Sequence, residues 1–252
     1  MCISCGCGDQ GKFILAASAQ TSNTLASNLF TLIEPEPSTQ RINVEKSILS
    51  ENKRIANENK VFFQRRNITA LNLVSSPGAG KTSLLEQTIQ QLKTDKIITV
   101  IEGDQQTSRD AERIRNAGAR AIQINTGKGC HLNANMVQRA LAELKPEDGS
   151  YLFIENVGNL VCPANFELGE AARVAILSVT EGNDKPLKYP DIFQNTKLVI
   201  ISKIDLLPYV DFDVEECKGF IRSINPSANI IELSVKTSEG MQAWLNWLSA
   251  PA

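Results

Sequence analysis

Neither sign of charge is in excess in this sequence. Its 26 basic and 28 acidic residues leave a formal net charge of −2, which argues against nucleic acid or an anionic membrane as the main partner. No apolar run is long enough to span a bilayer. The short apolar stretch Phe13–Ala19 lacks the basic segment that precedes the core of a secretion signal, and a cysteine cluster stands there instead. The expected location is therefore the cytoplasm. Histidine is nearly missing: His131 is the only one in 252 residues, and it stands directly beside Cys130. What is present is ordinary globular material, 42% hydrophobic and 21% charged. That suffices for a core in one domain of moderate size, or one domain plus a tail.

The six cysteines are unevenly spread, with Cys2, Cys5 and Cys7 inside the first seven residues and Cys130, Cys162 and Cys217 scattered. In a cytoplasmic chain such close spacing reads as metal or redox chemistry before structural disulfides. Residues 8 to about 40 are rich in Ser, Thr, Asn and Ala, contain Glu34-Pro35-Glu36-Pro37, and read as a tether. From Asn43 to Gln64 apolar residues recur at helical spacing on a charged background, which predicts a helix. The expected division is a cysteine-bearing tail and tether over 1–40, a helical extension over 41–66 and the main domain over 67–252.

From Ile68 onward strands and helices alternate. Ile68–Ser75, Ile97–Glu102, Ala121–Ile124, Tyr151–Glu155, Val174–Val179, Leu198–Ser202 and Ile230–Ser234 read as apolar strands. Thr82–Leu92, Arg109–Ala117, Asn133–Leu144, Val214–Ile224 and Gly240–Leu248 read as helices. The pattern predicts an α/β fold with a parallel sheet flanked by helices, and ligands at the carboxyl ends of its strands.

The chemistry-bearing motifs fall at those ends. Ser75-Ser76-Pro77-Gly78-Ala79-Gly80-Lys81-Thr82 links the first strand to the first helix, as a phosphate-binding loop requires, although Ser75 stands where the usual pattern has glycine. Its glycines let the backbone wrap an anion, and the helix that Thr82 and Ser83 open offers unpaired N–H groups. Lys81 is expected to reach the β and γ phosphates, and Thr82 to ligate Mg²⁺. Glu155-Asn156-Val157-Gly158 ends a buried strand with a carboxylate and a glycine, a variant of the motif that positions Mg²⁺ and senses the γ-phosphate. Asp104 follows another strand and reads either as a further carboxylate near the metal or as a helix cap. Ser202-Lys203-Ile204-Asp205 places at a strand end a carboxylate that can accept two hydrogen bonds from guanine and none of that kind from adenine. Ser202 replaces the usual Asn. Ser234-Val235-Lys236 reads as the loop covering the guanine edge. No general base stands out, and Arg109 is a candidate for a phosphate-facing arginine.

Two metal sites are suggested. Cys2, Cys5 and Cys7 bring three thiolates together on a turn containing Gly6, a soft donor set suited to zinc, Cu(I) or nickel. Cys130 and His131 follow a strand at the nucleotide edge, and Cys162, shortly after Glu155–Gly158, is the expected third ligand. The alternative is that the Cys130–His131 pair is only packing.

Taken together these motifs resemble the HypB family of GTPases. The resemblance rests on Cys2-x-x-Cys5-Gly6-Cys7, the Ser-Pro-Gly-Ala-Gly-Lys-Thr loop, Glu102-Gly103-Asp104, Gly129-Cys130-His131-Leu132, the run from Glu155 to Pro163, and Ser202–Asp205. It implies a P-loop fold of the SIMIBI (signal-recognition/MinD) class and a GTPase assisting nickel insertion into the [NiFe]-hydrogenase large subunit precursor. It further implies GTP-dependent homodimerisation, a HypA-type metallochaperone partner, and Ni²⁺ or Zn²⁺ at Cys130, His131 and Cys162. The tail motif matches a separate nickel site of some members. Other members carry a histidine-rich nickel store; with His131 alone, this chain is not expected to store nickel. The related urease-maturation GTPase is the next resemblance, but its Cys-Pro-His motif and lack of the tail cysteines fit less well. A small-molecule kinase would leave Asp205 and the cysteines without roles.

Overall fold

The computed structural model of the chain describes residues 13–15, 31–33, 39–105 and 109–250, with side chains from Lys46 on. The chain divides into two units, Met1–Ile48 and Leu49–Ala252. In the first, strands β1 (Phe13–Leu15) and β2 (Thr31–Ile33) pair antiparallel, Phe13 opposite Ile33. The composition of this stretch had predicted only a tether; three-residue strands are too short to give a periodic signal. Helix α1 (Thr39–Arg65) begins in the first unit and runs into the second.

The second unit is built on seven parallel strands. In chain order the elements are β3 (Thr69–Ser75), α2 (Lys81–Leu92), β4 (Ile98–Asp104), α3 (Arg109–Ala117), β5 (Arg120–Asn125), α4 (Ala134–Leu144), β6 (Tyr151–Glu155), β7 (Ala172–Ser178), α5 (Lys185–Lys188), α6 (Pro190–Gln194), β8 (Leu198–Ser202), α7 (Val214–Ile224), β9 (Asn229–Leu233) and α8 (Met241–Ser249). Across the sheet the order is β5-β4-β6-β3-β7-β8-β9. The chain thus starts in the middle, works out to one edge, returns beside β3 and finishes on the other side. Ligands in such sheets collect where the order reverses, at the strands' carboxyl ends.

Strand alternation sends successive side chains to opposite faces. On one face Leu71, Leu73, Val100, Phe153, Val174 and Ile200 pack with Leu85 and Ile89 of α2, Ile114 of α3 and Trp244 of α8. On the other, Ala70, Leu152 and Ile154 meet Phe63 of α1 and Val137 and Leu141 of α4, while Val74, Ala175 and Val199 meet Phe193 of α6 and Ile221 of α7. Each leucine or isoleucine taken fully out of water contributes ~1.5–3 kcal/mol. Being covered on both faces is why these strands read as near-continuous apolar runs.

Two helices start where a side chain can cap them. Asn133 accepts from the Met136 N–H at 2.9 Å and Asp213 from the Glu216 N–H at 2.9 Å. Asn133 is therefore the cap of α4 rather than its first turn. Strand β4 runs two residues further than the apolar pattern predicted, so Asp104 closes the strand and does not cap α3. The structure adds α5, α6 and two 3₁₀ turns, Cys162–Asn165 and Ile204–Tyr209, that the periodicity did not reveal.

Candidate functional site

The loop between β3 and α2 bends through two left-handed glycines, Gly78 (φ 76°) and Gly80 (φ 106°). A side chain at either would be strained. A third glycine matters for a different reason: a Cβ on Gly158 would stand 2.8 Å from Pro77 Cα. The segment after β6 therefore lies directly against the phosphate loop, and only glycine permits that approach.

Around this loop is a cavity of about 390 Å³, walled by Pro77, Gly78, Gly80, Lys81, Thr82, Ser83, Glu102, Asp104, Glu155 and Gly158 among others. Lys81 is buried, and its ammonium donates to Ser75 Oγ at 2.9 Å. Thr82 donates to Glu155 Oε1 at 2.8 Å. Asp104, at the end of β4, accepts from the Gln105 N–H at 2.6 Å.

Glu102 is the wall residue that strand reading passed over as a separate site residue. It is 2% exposed, and burial first, then the neighbouring Glu155 carboxylate, push its pKa up to about 11. Burial raises Glu155 as well, against the pull of the Lys81 ammonium. Glu102 Oε2 and Glu155 Oε2 are buried with no hydrogen-bond partner. Two inward carboxylates with orphaned oxygens beside the Thr82 hydroxyl form a hard, all-oxygen donor set, which fits Mg²⁺. The signal for Glu102 was an acid ending an apolar run, the same signal that singled out Glu155.

Arg109 opens α3 exposed and is not among the cavity walls, whereas Arg113, one turn on, is. Arg113 pairs with Glu86 Oε2 at 2.5 Å and Asp110 Oδ1 at 3.1 Å, and donates to Ser83 Oγ at 3.2 Å. The two arginines share a face of α3, being four residues apart, and it is the one-turn difference along the helix that brings Arg113 rather than Arg109 to Glu86 and Ser83 of α2.

Gly80 and Ser83 also wall a second cavity of about 360 Å³ with Ile176, Ile200, Leu233, Lys203, Asp205 and Lys236. Here Ser234 donates to Asp205 Oδ1 at 2.6 Å, and Lys203, itself left-handed, donates to Gly78 O at 2.7 Å. Ser202 donates to Ala79 O at 2.7 Å, tying the end of β8 to the phosphate loop. An apolar slot with a carboxylate in its wall, opening beside a phosphate loop, has the form of a base pocket next to a phosphate pocket.

Cys130, His131 and Cys162 come together, their ligand atoms all within 4.8 Å of one another. The two sulfurs are 2.6 Å apart and Cys130 Sγ is 3.6 Å from His131 Nδ1. His131 is buried against the Phe166 ring, centroids 4.0 Å apart, and that burial lowers its pKa to about 4. The imidazole is thus neutral at neutral pH, the form that ligates. Two thiols and an imidazole suit a soft or borderline metal such as zinc or nickel. Cys2, Cys5 and Cys7 lie outside the described residues.

The family model "CobW/HypB/UreG, nucleotide-binding domain" matches residues 69–232. The hydrogenase maturation factor HypB of Rhizobium leguminosarum bv. viciae is 59% identical over 211 residues, spanning 84% of this chain and 71% of that protein. This chain belongs to the HypB family. The Escherichia coli K12 factor HypB is 55% identical, over 82% of this chain and 71% of its own length. Among solved structures, HypB from Archaeoglobus fulgidus superposes with a TM-score of 0.74 at 42% identity, covering 79% of this chain and 97% of that one. HypB from Helicobacter pylori in complex with nickel gives 0.73 at 41% identity, covering 79% and 93%. Both relatives and both structures are HypB proteins, the first of the two resemblances read from the sequence.

Proposed function

We propose that this HypB-family chain is a slow GTPase that carries nickel toward the [NiFe]-hydrogenase large subunit precursor in the cytoplasm. The observation that carries this reading is the position of the Cys130–His131–Cys162 cluster. Its ligands lie on two loops that leave the carboxyl ends of β5 and β6, the same sheet edge that holds the phosphate cavity. GTP occupies the two adjoining cavities, its base read by Asp205 and its phosphates held by the 77–83 loop, Lys81 and Thr82. Thr82, Glu155 and Asp104, with Glu102 beside them, would hold Mg²⁺, which would supply charge neutralisation at the phosphates. Lys203, Ser234 and Lys236 frame the base. The γ-phosphate orders the Asp104 and Glu155–Gly158 segments, and hydrolysis frees them.

Because Cys162 follows the second of these segments, ordering changes the geometry of the ligand set and so its affinity for Ni²⁺ or Zn²⁺. GTP binding also drives homodimerisation, and a HypA-type metallochaperone exchanges nickel with the chain, with Cys2, Cys5 and Cys7 as a second nickel site. The test is equilibrium Ni²⁺ titration of a chain with Cys2, Cys5 and Cys7 replaced by serine, in GDP and in a non-hydrolysable GTP analogue. The two affinities are expected to differ by about 5–150-fold, and metal must change nucleotide affinity by the same factor. Equal affinities in both nucleotide states, with Cys162 intact, would remove the switch from this reading.

A further inference from the structure

The residue after His131 is held from two sides, both belonging to the phosphate site. Asn156, 1% exposed, follows Glu155 and is a wall of the phosphate cavity. Its Oδ1 accepts from the Leu132 N–H at 3.0 Å and from the Val157 N–H at 3.0 Å, and its amide donates to Asn72 Oδ1 at 3.3 Å. On the other side the Leu132 side chain, fully buried, lies over Gly103, the residue between Glu102 and Asp104. A Cβ at Gly103 would stand 2.8 Å from Leu132 Cγ.

The loop has little freedom to absorb a shift elsewhere. Ala134, two residues on, is pinned by α1: its N–H donates to Asn52 Oδ1 at 2.8 Å and its carbonyl accepts from Asn59 Nδ2 at 2.9 Å. Cys130 O accepts from Asn159 Nδ2 at 3.3 Å. A displacement imposed on Leu132 is therefore taken up at His131, the residue between Cys130 and Leu132.

We propose that Leu132 is the coupling residue between the two sites, its main chain moved by Asn156 and its side chain by the strand end at Gly103. This rests on the nucleotide-governed metal site proposed above and names the positioning residues that would carry the signal: Asn156, Gly103 and Leu132, none of them a ligand. A buried carboxamide that accepts two main-chain N–H groups from different loops makes those loops move together, since releasing either leaves a buried donor unpaired.

The experiment uses the full chain with Cys2, Cys5 and Cys7 replaced by serine, carrying in addition Asn156→Ala or Leu132→Ala. Ni²⁺ affinity is measured by chelator competition in GDP and in the GTP analogue, with nucleotide affinity measured separately with and without Ni²⁺. The parent is expected to show the 5–150-fold difference, and each variant to bring that ratio to within about twofold of unity while still binding both nickel and nucleotide. A structural weakening alone would lower both affinities and leave the ratio standing. Should Asn156→Ala fail to fold, by near-ultraviolet circular dichroism, Leu132→Ala decides alone. A ratio that persists in the folded variants overturns the role of Leu132 and leaves the switch reading intact. A parent without any ratio overturns both.

Discussion

Asp205 shows how much one side chain can decide. Its carboxylate already has one oxygen fixed by Ser234, so it presents a preset acceptor to the second cavity. Asp205→Asn puts an amide donor where guanine also donates. GTP affinity is expected to fall by about 2–4 kcal/mol, with xanthosine nucleotides gaining on it; competitive fluorescence titration of both nucleotides measures this. Cys217 is the opposite case, a thiol that joins no metal-ligand cluster among the described residues. It is fully buried on α7, and burial pushes its pKa up to about 12. The prediction is that iodoacetamide at about pH 8 leaves Cys217 unmodified in the folded protein and labels it after denaturation, read by peptide mass spectrometry. Labelling of native Cys217 at the rate of a free thiol would show that α7 opens.

Among the elements, α1 does more than cover the sheet. Asn52 donates to Glu167 O at 2.8 Å and accepts from Ala134; Asn59 donates to Ala134 O and, at 3.0 Å, to Leu168 O. Helix α1 thus staples the start of α4 to the loop that carries Phe166, and so joins both arms of the cysteine–histidine cluster. Asn59→Ala removes both of these hydrogen bonds, at about 0.5–1.5 kcal/mol each. Gly169→Ala is expected to cost at least as much: φ is +96° there, and a Cβ would come within 2.5 Å of Ala56 O. Urea unfolding midpoints of both variants are the check, and an unchanged midpoint for Asn59→Ala would mean the staple is not needed for stability.

At the scale of the whole molecule, the unit Met1–Ile48 and the unit Leu49–Ala252 are separately compact. Lys81→Ala is accordingly expected to abolish GTP turnover, by phosphate release, and to leave Ni²⁺ binding by Cys2, Cys5 and Cys7 unchanged. Loss of tail nickel binding in that variant would show that the two units are not independent. Light scattering should show the mass of the parent doubling with the GTP analogue and not with GDP; a constant mass would exclude dimerisation as the output of the switch.

The local signals in the sequence determined a great deal here. Phosphate loops need glycine and lysine at fixed spacing between a strand and a helix, so residues 75–82 were legible from a contiguous string. Strands covered on both faces are apolar throughout, which made the parallel sheet legible as well. Short elements such as α5 and α6, only four and five residues long, span too little chain to show a period. What the tertiary structure alone decided was which residues meet from distant strings. It paired Glu102 with Glu155, placed Arg113 rather than Arg109 on the cavity wall, and set Asn156 on the Leu132 N–H. Those contacts depend on strand order and on how the helices dock on the sheet, which no single stretch of sequence encodes, because each contact is fixed by the packing of elements separated in the chain.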